Sequence, residues 1–379
     1  MTLNSELQKD FLARGFSRRS FGRIAAMLTG ASALPFFNEF SLAQEVDTHA
    51  LPPGAVKIDS NENPLGPGDS ATQAMQAMVP KGNRYQFNLP GEMAKAMADV
   101  EGLKADHITP YPGSSLPLHW AVLSYTSPTR PLVIADPGYE ASATAARFIG
   151  AKTIPVPLTK EFAHDVKAMV AADASPGLIY ICNPNNPTGS LTSRESIDWI
   201  MANKPAGTMI MLDEAYIHFS GIQSAVDLVK ADKDIIILRT FSKIYGMAGL
   251  RAGVAMARPD ILRKMNQYGN TWMPVTSVAG VLASLKDTKL VPDRRKINAD
   301  VREETLAFLS KHNFNYIPSV SNKFMVDTKR PARDVIAALR KENVYVGRVW
   351  PAVPTHIRVT VGTAEEMKKF QAAFIKVMA

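Results

Sequence analysis

The sequence has one cysteine, Cys182, among 379 residues. No intramolecular disulfide can form, so packing and hydrogen bonding must hold the fold unaided. Cys182 sits in an apolar run and reads as a small buried core residue, and a single thiol is also compatible with an oxidising compartment. The chain carries no internal repeat and no low-complexity segment. Ile24 to Phe37 is modestly apolar, but it is shorter than the roughly 20 residues a spanning helix needs, so no stable membrane insertion is expected. Lys and Arg total 43 against 35 Asp and Glu, a formal net charge of +8. That surplus forms no basic run and has no interleaved aromatics, which excludes a nucleic-acid interface and leaves small anionic substrates compatible. The composition, 46% hydrophobic and 21% charged, is that of an ordinary globular protein, long enough for more than one domain.

The front end has its own character. Ser17-Arg18-Arg19-Ser20-Phe21 matches a twin-arginine pattern, an apolar stretch follows, and Ser41-Leu42-Ala43 offers a small-x-small cleavage site. Residues 1–43 are therefore expected to be a signal peptide for the twin-arginine export machinery, with a periplasmic or secreted product. The competing reading is an amphipathic N-terminal helix. Gln44 to Pro53 is expected to be a disordered leader.

Three short apolar runs each end in polar residues. Leu178–Cys182 leads into Asn183-Pro184-Asn185-Asn186-Pro187-Thr188-Gly189, Met209–Leu212 into Asp213-Glu214-Ala215-Tyr216, and Ile235–Leu238 into Thr240-Phe241-Ser242-Lys243. Such runs read as buried strands, and open α/β sheets bind ligands beyond the carboxyl ends of their strands. Those ends would gather an Asn, an Asp, a Tyr and a Lys. Past Lys243 comes a glycine-punctuated turn and Arg251. An arginine can grip a phosphate in a bidentate way and hydroxyls can donate to it. The neighbouring lysine amine can then form an imine with an aldehyde on the same ligand. Pro112-Gly113-Ser114-Ser115 before a helical stretch leaves N–H groups for the same phosphate. His119, inside that stretch, reads as a core histidine.

In combination, NPNNPTG, DEAY and TFSKxxGxAGLRxG, in this order, resemble the fold-type I pyridoxal-phosphate aminotransferases, most of all the histidinol-phosphate aminotransferase group, from about Val56 to the C-terminus. The resemblance implies an α/β fold: a large domain with a mostly parallel sheet between helices, plus a smaller C-terminal α/β domain. It implies pyridoxal 5'-phosphate as cofactor and no metal, amino acid and 2-oxo acid substrates, and a homodimer. Lys243 would bond the cofactor aldehyde and later move a proton. Asp213 would pair with the pyridine nitrogen, Asn186 and Tyr216 with the phenolic oxygen, and Tyr139 (in Pro137-Gly138-Tyr139) would stack on the ring. Thr240, Ser242, Arg251 and the amides of Ser114 and Ser115 would hold the phosphate. Tyr85, in Asn83-Arg84-Tyr85, would reach the phosphate of the opposite subunit, although Gln86 replaces the proline usual after it. Asn63, in the Asn61-Glu62-Asn63-Pro64 arm, and Arg358 would bind substrate, Arg358 through its carboxylate, with Arg348 a second anion contact.

The expected organisation is a signal peptide over 1–43, an arm over 44–80, a large cofactor-binding domain over 81–273 and a small domain over 274–379. In the last, a helix over Asp293–His312, a strand over Lys323–Asp327, a helix over Pro331–Glu342 and strands over Val344–Val346 and His356–Val361 are expected, with mostly antiparallel pairing. Capping boxes are read at Thr192–Glu195 and Thr363–Glu366. Other pyridoxal-phosphate reactions, such as threonine-phosphate decarboxylase-like or racemase-like chemistry, would use the same Lys243 and Asp213. An exported, non-catalytic cofactor-binding protein is the alternative from another class.

Overall fold

The computed structural model describes residues 5–29, 51–269 and 272–379. The expected cleavage site at Ser41–Ala43 and the leader from Gln44 to Ala50 lie outside the described residues. Helices Ser5–Ala13 and Arg18–Thr29 form a hairpin at the front of the chain. Leu7, Phe11, Phe16 and Ile24 are buried in the larger core with Trp120 and Tyr268, and Phe11 meets Tyr268 edge-on at 6.2 Å. Arg14 donates to the carbonyls of Leu123 and Thr126 at 2.5 and 2.6 Å. Those carbonyls end the helix Ser115–Tyr125, where a cation satisfies orphan acceptors and the helix dipole together. Arg18 and Arg19 remain exposed on the hairpin. No helix among the described residues is long and apolar enough to cross a membrane.

Strand β1 (Val56–Ile58) pairs in parallel with β11 (Val344–Val346), so the arm is bound into the C-terminal domain. The central sheet contains β2 (Ile108–Tyr111), β3 (Leu132–Asp136), β4 (Thr153–Pro157), β5 (Leu178–Cys182), β6 (Met209–Asp213), β7 (Ile235–Thr240) and β8 (Gly253–Met256). Their order is β2-β8-β7-β6-β5-β3-β4, and only β8 runs against its neighbours. The middle strands β5, β6 and β7 are buried along their whole length, because helices cover both faces of a parallel sheet; hence their unbroken apolar runs.

A second core holds β9 (Tyr316–Ile317), β10 (Lys323–Asp327) and β12 (His356–Thr360), antiparallel in the order β12-β10-β9, with helices Ala332–Lys341 and Ala364–Met378 against them. The change of core falls later than Pro274. Helix Val275–Lys286 buries Val278 and Val281 in the larger cluster, and helix Leu290–Lys311 begins in that cluster at Leu290 and ends in the smaller one at Leu306 and Leu309.

The capping box at Thr363 and Glu366 is present in both directions. The one read at Thr192–Glu195 is not. Ser193, one residue later, caps helix Arg194–Asn203 through the Ser196 N–H. Thr192 instead accepts from the His164 backbone and exchanges a bond with its ring, because a buried hydroxyl takes a buried partner before a solvated one.

Candidate active site

The carboxyl ends of the central strands open into a cavity of about 290 Å³. Its lining includes Ser114, Ser115, Tyr139, Asn186, Asp213, Tyr216, Thr240, Ser242, Lys243 and Arg251, with Cys182 at the end of β5. Ten residues scattered over 138 positions of sequence thus meet around one space, because each sits at a strand end or in the loop after it.

One end of the cavity is built for a phosphate. Gly113 has φ +87°, and a Cβ there would overlap the Arg251 guanidinium. At Gly253 a Cβ would lie 2.7 Å from the Ser114 nitrogen. Two glycines therefore let the arginine and β8 close against the loop that starts helix Ser115–Tyr125. Arg251 has φ +52°, a costly backbone for a side chain this large. Its Nη1 is fixed by the Ala248 carbonyl at 2.8 Å and lies 3.4 Å from the Ser242 Oγ. The Thr240 hydroxyl donates to the Ser242 Oγ at 2.9 Å. A helix start, an arginine and two hydroxyls are a donor set for a dianion.

The other end holds a buried carboxyl group. Asp213 is 4% exposed; its Oδ2 accepts from the Tyr180 hydroxyl at 2.9 Å and its Oδ1 from the Ala215 N–H at 3.1 Å. Burial raises its pKa to about 6, although those bonds and the charges of Lys243 and Lys323 pull it down. A carboxylate held in such surroundings gains from a protonated nitrogen placed against it. Burial also raises the Cys182 thiol well above its ordinary value and lowers His119 to about 3, so the first stays protonated and the second neutral.

Between these ends, the Lys243 Nζ donates to the Ser60 carbonyl at 3.3 Å and lies 5.6 Å from the centre of the Tyr216 ring. The Tyr216 hydroxyl accepts from the Asn61 amide at 3.1 Å. The Lys323 Nζ lies over the same ring, 3.0 Å from its centre, and donates to the Ser321 hydroxyl. The Asn186 carbonyl accepts from Arg358 Nη1 at 2.9 Å, which fixes the orientation of that amide.

Tyr180, Asn61 and Lys323 were not singled out in the sequence. Tyr180 carried a faint signal, since a hydroxyl inside a fully apolar strand must find a partner. Lys323 carried another, as a cation opening a strand whose next residues are all apolar. Asn61 is two residues before the expected arm contact, Asn63. Asn63 spends its side chain on the Ile244 carbonyl and the Leu65 N–H and does not line the cavity; Ser60 and Glu62 do. Arg358 is 1% exposed and does not itself line the cavity; it donates to Asn186, which does, and to the Asp59 carbonyl. Arg348 is not part of the lining and is gripped by Glu140, with Nη1 to Oε1 at 2.8 Å. Tyr85 is 73% exposed, outside the cavity of its own chain, against Phe87 and Trp272.

The sequence matches the family model "Aminotransferase class I and II" over residues 53–374. It is 32% identical to the histidinol-phosphate aminotransferase of Moorella thermoacetica over 338 residues, 86% of each chain. Among solved structures, a protein of Erwinia carotovora atroseptica proposed to be a histidinol-phosphate aminotransferase superposes with a TM-score of 0.83 at 31% identity, covering 86% of this chain and 98% of that one. The histidinol-phosphate aminotransferase of Sinorhizobium meliloti, in complex with pyridoxal-5'-phosphate, gives 0.77 at 25% identity, covering 85% and 90%.

The pKa of Asp213 sets a test. Protonation of this group favours the cofactor-free fold, an effect complete below its ordinary pKa of 3.8 and lost as pH rises through about 6. The melting of cofactor-free Asp213→Asn relative to the parent should therefore improve as pH rises from 5 to 8, a change worth up to about 2 kcal/mol that does not depend on the hydrogen bond the amide loses. The same variant of the holoenzyme should lose several orders of magnitude of activity while keeping most of its phosphate affinity. A melting difference between variant and parent that stays constant from pH 5 to pH 8 would rule out a raised pKa for this carboxyl.

Proposed function

The chain belongs to the class I and II aminotransferase family, a pyridoxal-phosphate-dependent transaminase by its relatives and its cavity alike, and we propose that it moves an amino group between an amino acid or related amine and a 2-oxo acid, with Lys243 as the proton carrier. The single observation that carries the reading is the placement of Lys243 between a phosphate cradle and a buried carboxylate in one cavity. When bound, the cofactor supplies the electron sink that makes a proton on the substrate carbon acidic. The Lys243 amine would hold the cofactor aldehyde and, once displaced, would take and return that proton. Asp213 would keep a proton on the pyridine nitrogen. Tyr216, steadied by Asn61 and by the Lys323 ammonium on its face, would orient the phenolic oxygen. Arg358, held by Asn186 and the Asp59 carbonyl at the edge of the cavity, would be the cation for a substrate carboxylate. Lys243→Ala protein should keep the fold and bind cofactor, yet show no conversion of the bound cofactor's absorbance across a panel of amines that the parent converts. Near-normal turnover without added amine would end the assignment.

Assembly and location belong to the same proposal. Tyr85, Phe87 and Trp272 form an exposed aromatic cluster, with ring centres 5.2 to 5.7 Å apart and exposures of 73%, 71% and 59%. A patch of this kind suits burial by a second copy, and Tyr85 of one copy would then reach the phosphate in the other. Mixing Lys243→Ala subunits with Tyr85→Ala subunits should restore part of the activity, since one hybrid site then carries neither lesion. No recovery in verified heterodimers would confine Tyr85 to its own chain or remove it from the site.

Export through the twin-arginine route is supported by the Arg18-Arg19 pair, which is exposed at the start of its helix. That route carries folded proteins, so the cofactor would be loaded first. Replacing both arginines by lysine should leave active enzyme in the cytoplasm, as read by cell fractionation. Unchanged periplasmic activity would show that the pair is only part of the docked hairpin.

A further inference from the structure

The small domain turns two arginines toward the large one, and they have different partners. Arg358 donates to Asn186 at 2.9 Å, on the wall of the cavity, and its guanidinium carbon lies 5.1 Å from the centre of the Trp350 ring. Arg348 lies over the same indole, at 4.1 Å, but both of its Nη groups grip the two carboxylate oxygens of Glu140. That fork is the geometry by which a guanidinium otherwise recognises a carboxylate or phosphate on a ligand. Glu140 directly follows Tyr139, whose ring lines the cavity, and the Trp350 Nε1–H donates to the Gly138 carbonyl at 3.1 Å. The loop that carries the cavity tyrosine thus also delivers an acid to the second arginine, and the small domain holds that loop on either side of Tyr139. Arg348 is 9% exposed, so the pair is largely out of water.

We infer that Glu140 is a specificity-determining residue: it stands where a second substrate anion would bind, so that the enzyme takes amino compounds with one anionic group and discriminates against those with two. This rests on the proposed role of Arg358 as the carboxylate clamp. A dianionic substrate placing its first carboxylate on Arg358 would bring its second toward a guanidinium already neutralised, with the Glu140 carboxylate beside it. To use Arg348 it would have to break two charge-assisted bonds and leave a half-buried acid without its cation, a cost that a neutral side chain does not meet. The expected role of Arg348 as a substrate contact is thereby replaced by a role for its partner.

The test uses holoenzyme and substrate pairs that differ in one charge at nearly constant shape: L-glutamate against L-glutamine, and L-aspartate against L-asparagine. The ratio of kcat/KM within each pair is measured for the parent, for Glu140→Gln, for Arg348→Met and for the double variant. Glu140→Gln should shift the ratio toward the dicarboxylic member by about tenfold or more, the order expected of one charge-assisted contact. Arg348→Met should deepen the discrimination, and adding it to Glu140→Gln should remove the gain. Binding of glutarate and butyrate, read as a shift in the bound cofactor's absorbance, supplies the same comparison without turnover. A ratio unmoved by Glu140→Gln in a variant with a normal cofactor spectrum would overturn the inference, as would a gain that survives the loss of Arg348. If the parent converts neither member of any pair, the amino-acid reading itself fails, and the glutarate-to-butyrate affinity ratio alone decides the role of Glu140 by the same criteria.

Discussion

A buried guanidinium sets the terms for the rest of this molecule. Arg358 comes from β12 in the small domain, yet its bonds go to Asn186 in the loop after β5 and to the carbonyl of Asp59 in the arm. A charge removed from water has to be paired or hydrogen-bonded, and losing one partner costs far more than the pair returns. The arm, the large domain and the small domain are therefore obliged to meet at one point. Neighbouring contacts reinforce it: the Asn61 N–H donates to the Thr360 hydroxyl at 2.9 Å, and the Asn322 amide to the Asn61 carbonyl at 3.0 Å. A side chain at Gly347 would stand 2.9 Å from the Arg358 Nε, so a glycine there is what lets the arginine lie flat.

Strand geometry sorts the charges around that point. Asp213 and Glu214 are consecutive acids, and successive side chains at a strand end face opposite ways. Asp213 faces the cavity. Glu214 faces away and takes the Arg239 guanidinium at 2.7 Å, which also holds Glu101 at 2.9 Å. The second acid is thus fully occupied by structure, while the first is held beside two lysines and a tyrosine hydroxyl, in surroundings that favour a cationic partner. The difference between a structural and a chemical carboxylate here is one position in a strand.

The strands were the most legible part of the sequence. Leu178–Cys182 and Lys323–Asp327 appear where the runs around Ile181 and Met325 stood, since the middle of a strand buried on both faces has to be apolar. The residues that line the cavity were legible for a related reason: most follow such a strand, where position in the chain nearly fixes position in space. The partners of Asn63 and Arg348 were not legible, because a polar side chain in a loop has several partners within reach and sequence spacing does not choose among them. Asn63 went to the Ile244 carbonyl and Arg348 to Glu140. Lys323 escaped notice because what matters is its position over Tyr216, 107 residues earlier in the chain, a relation that only the packing of one domain on the other creates. The hairpin at residues 5–29 has a composition that suits a leader and a docked amphipathic helix equally well; packing of Phe11 and Phe16 is a tertiary property.

Helix Leu290–Lys311 belongs to both cores, rooted at Leu290 in one and at Leu309 in the other. At 22 residues it is about 33 Å long, which makes it a lever arm rather than a linker. Pivoting by about 5° at its rooted end would carry the far end through roughly 3 Å for a rod of that length. That displacement is as large as the hydrogen bonds that join Arg358 to Asn186, so a tilt too small to disturb either core would be enough to make or break the site.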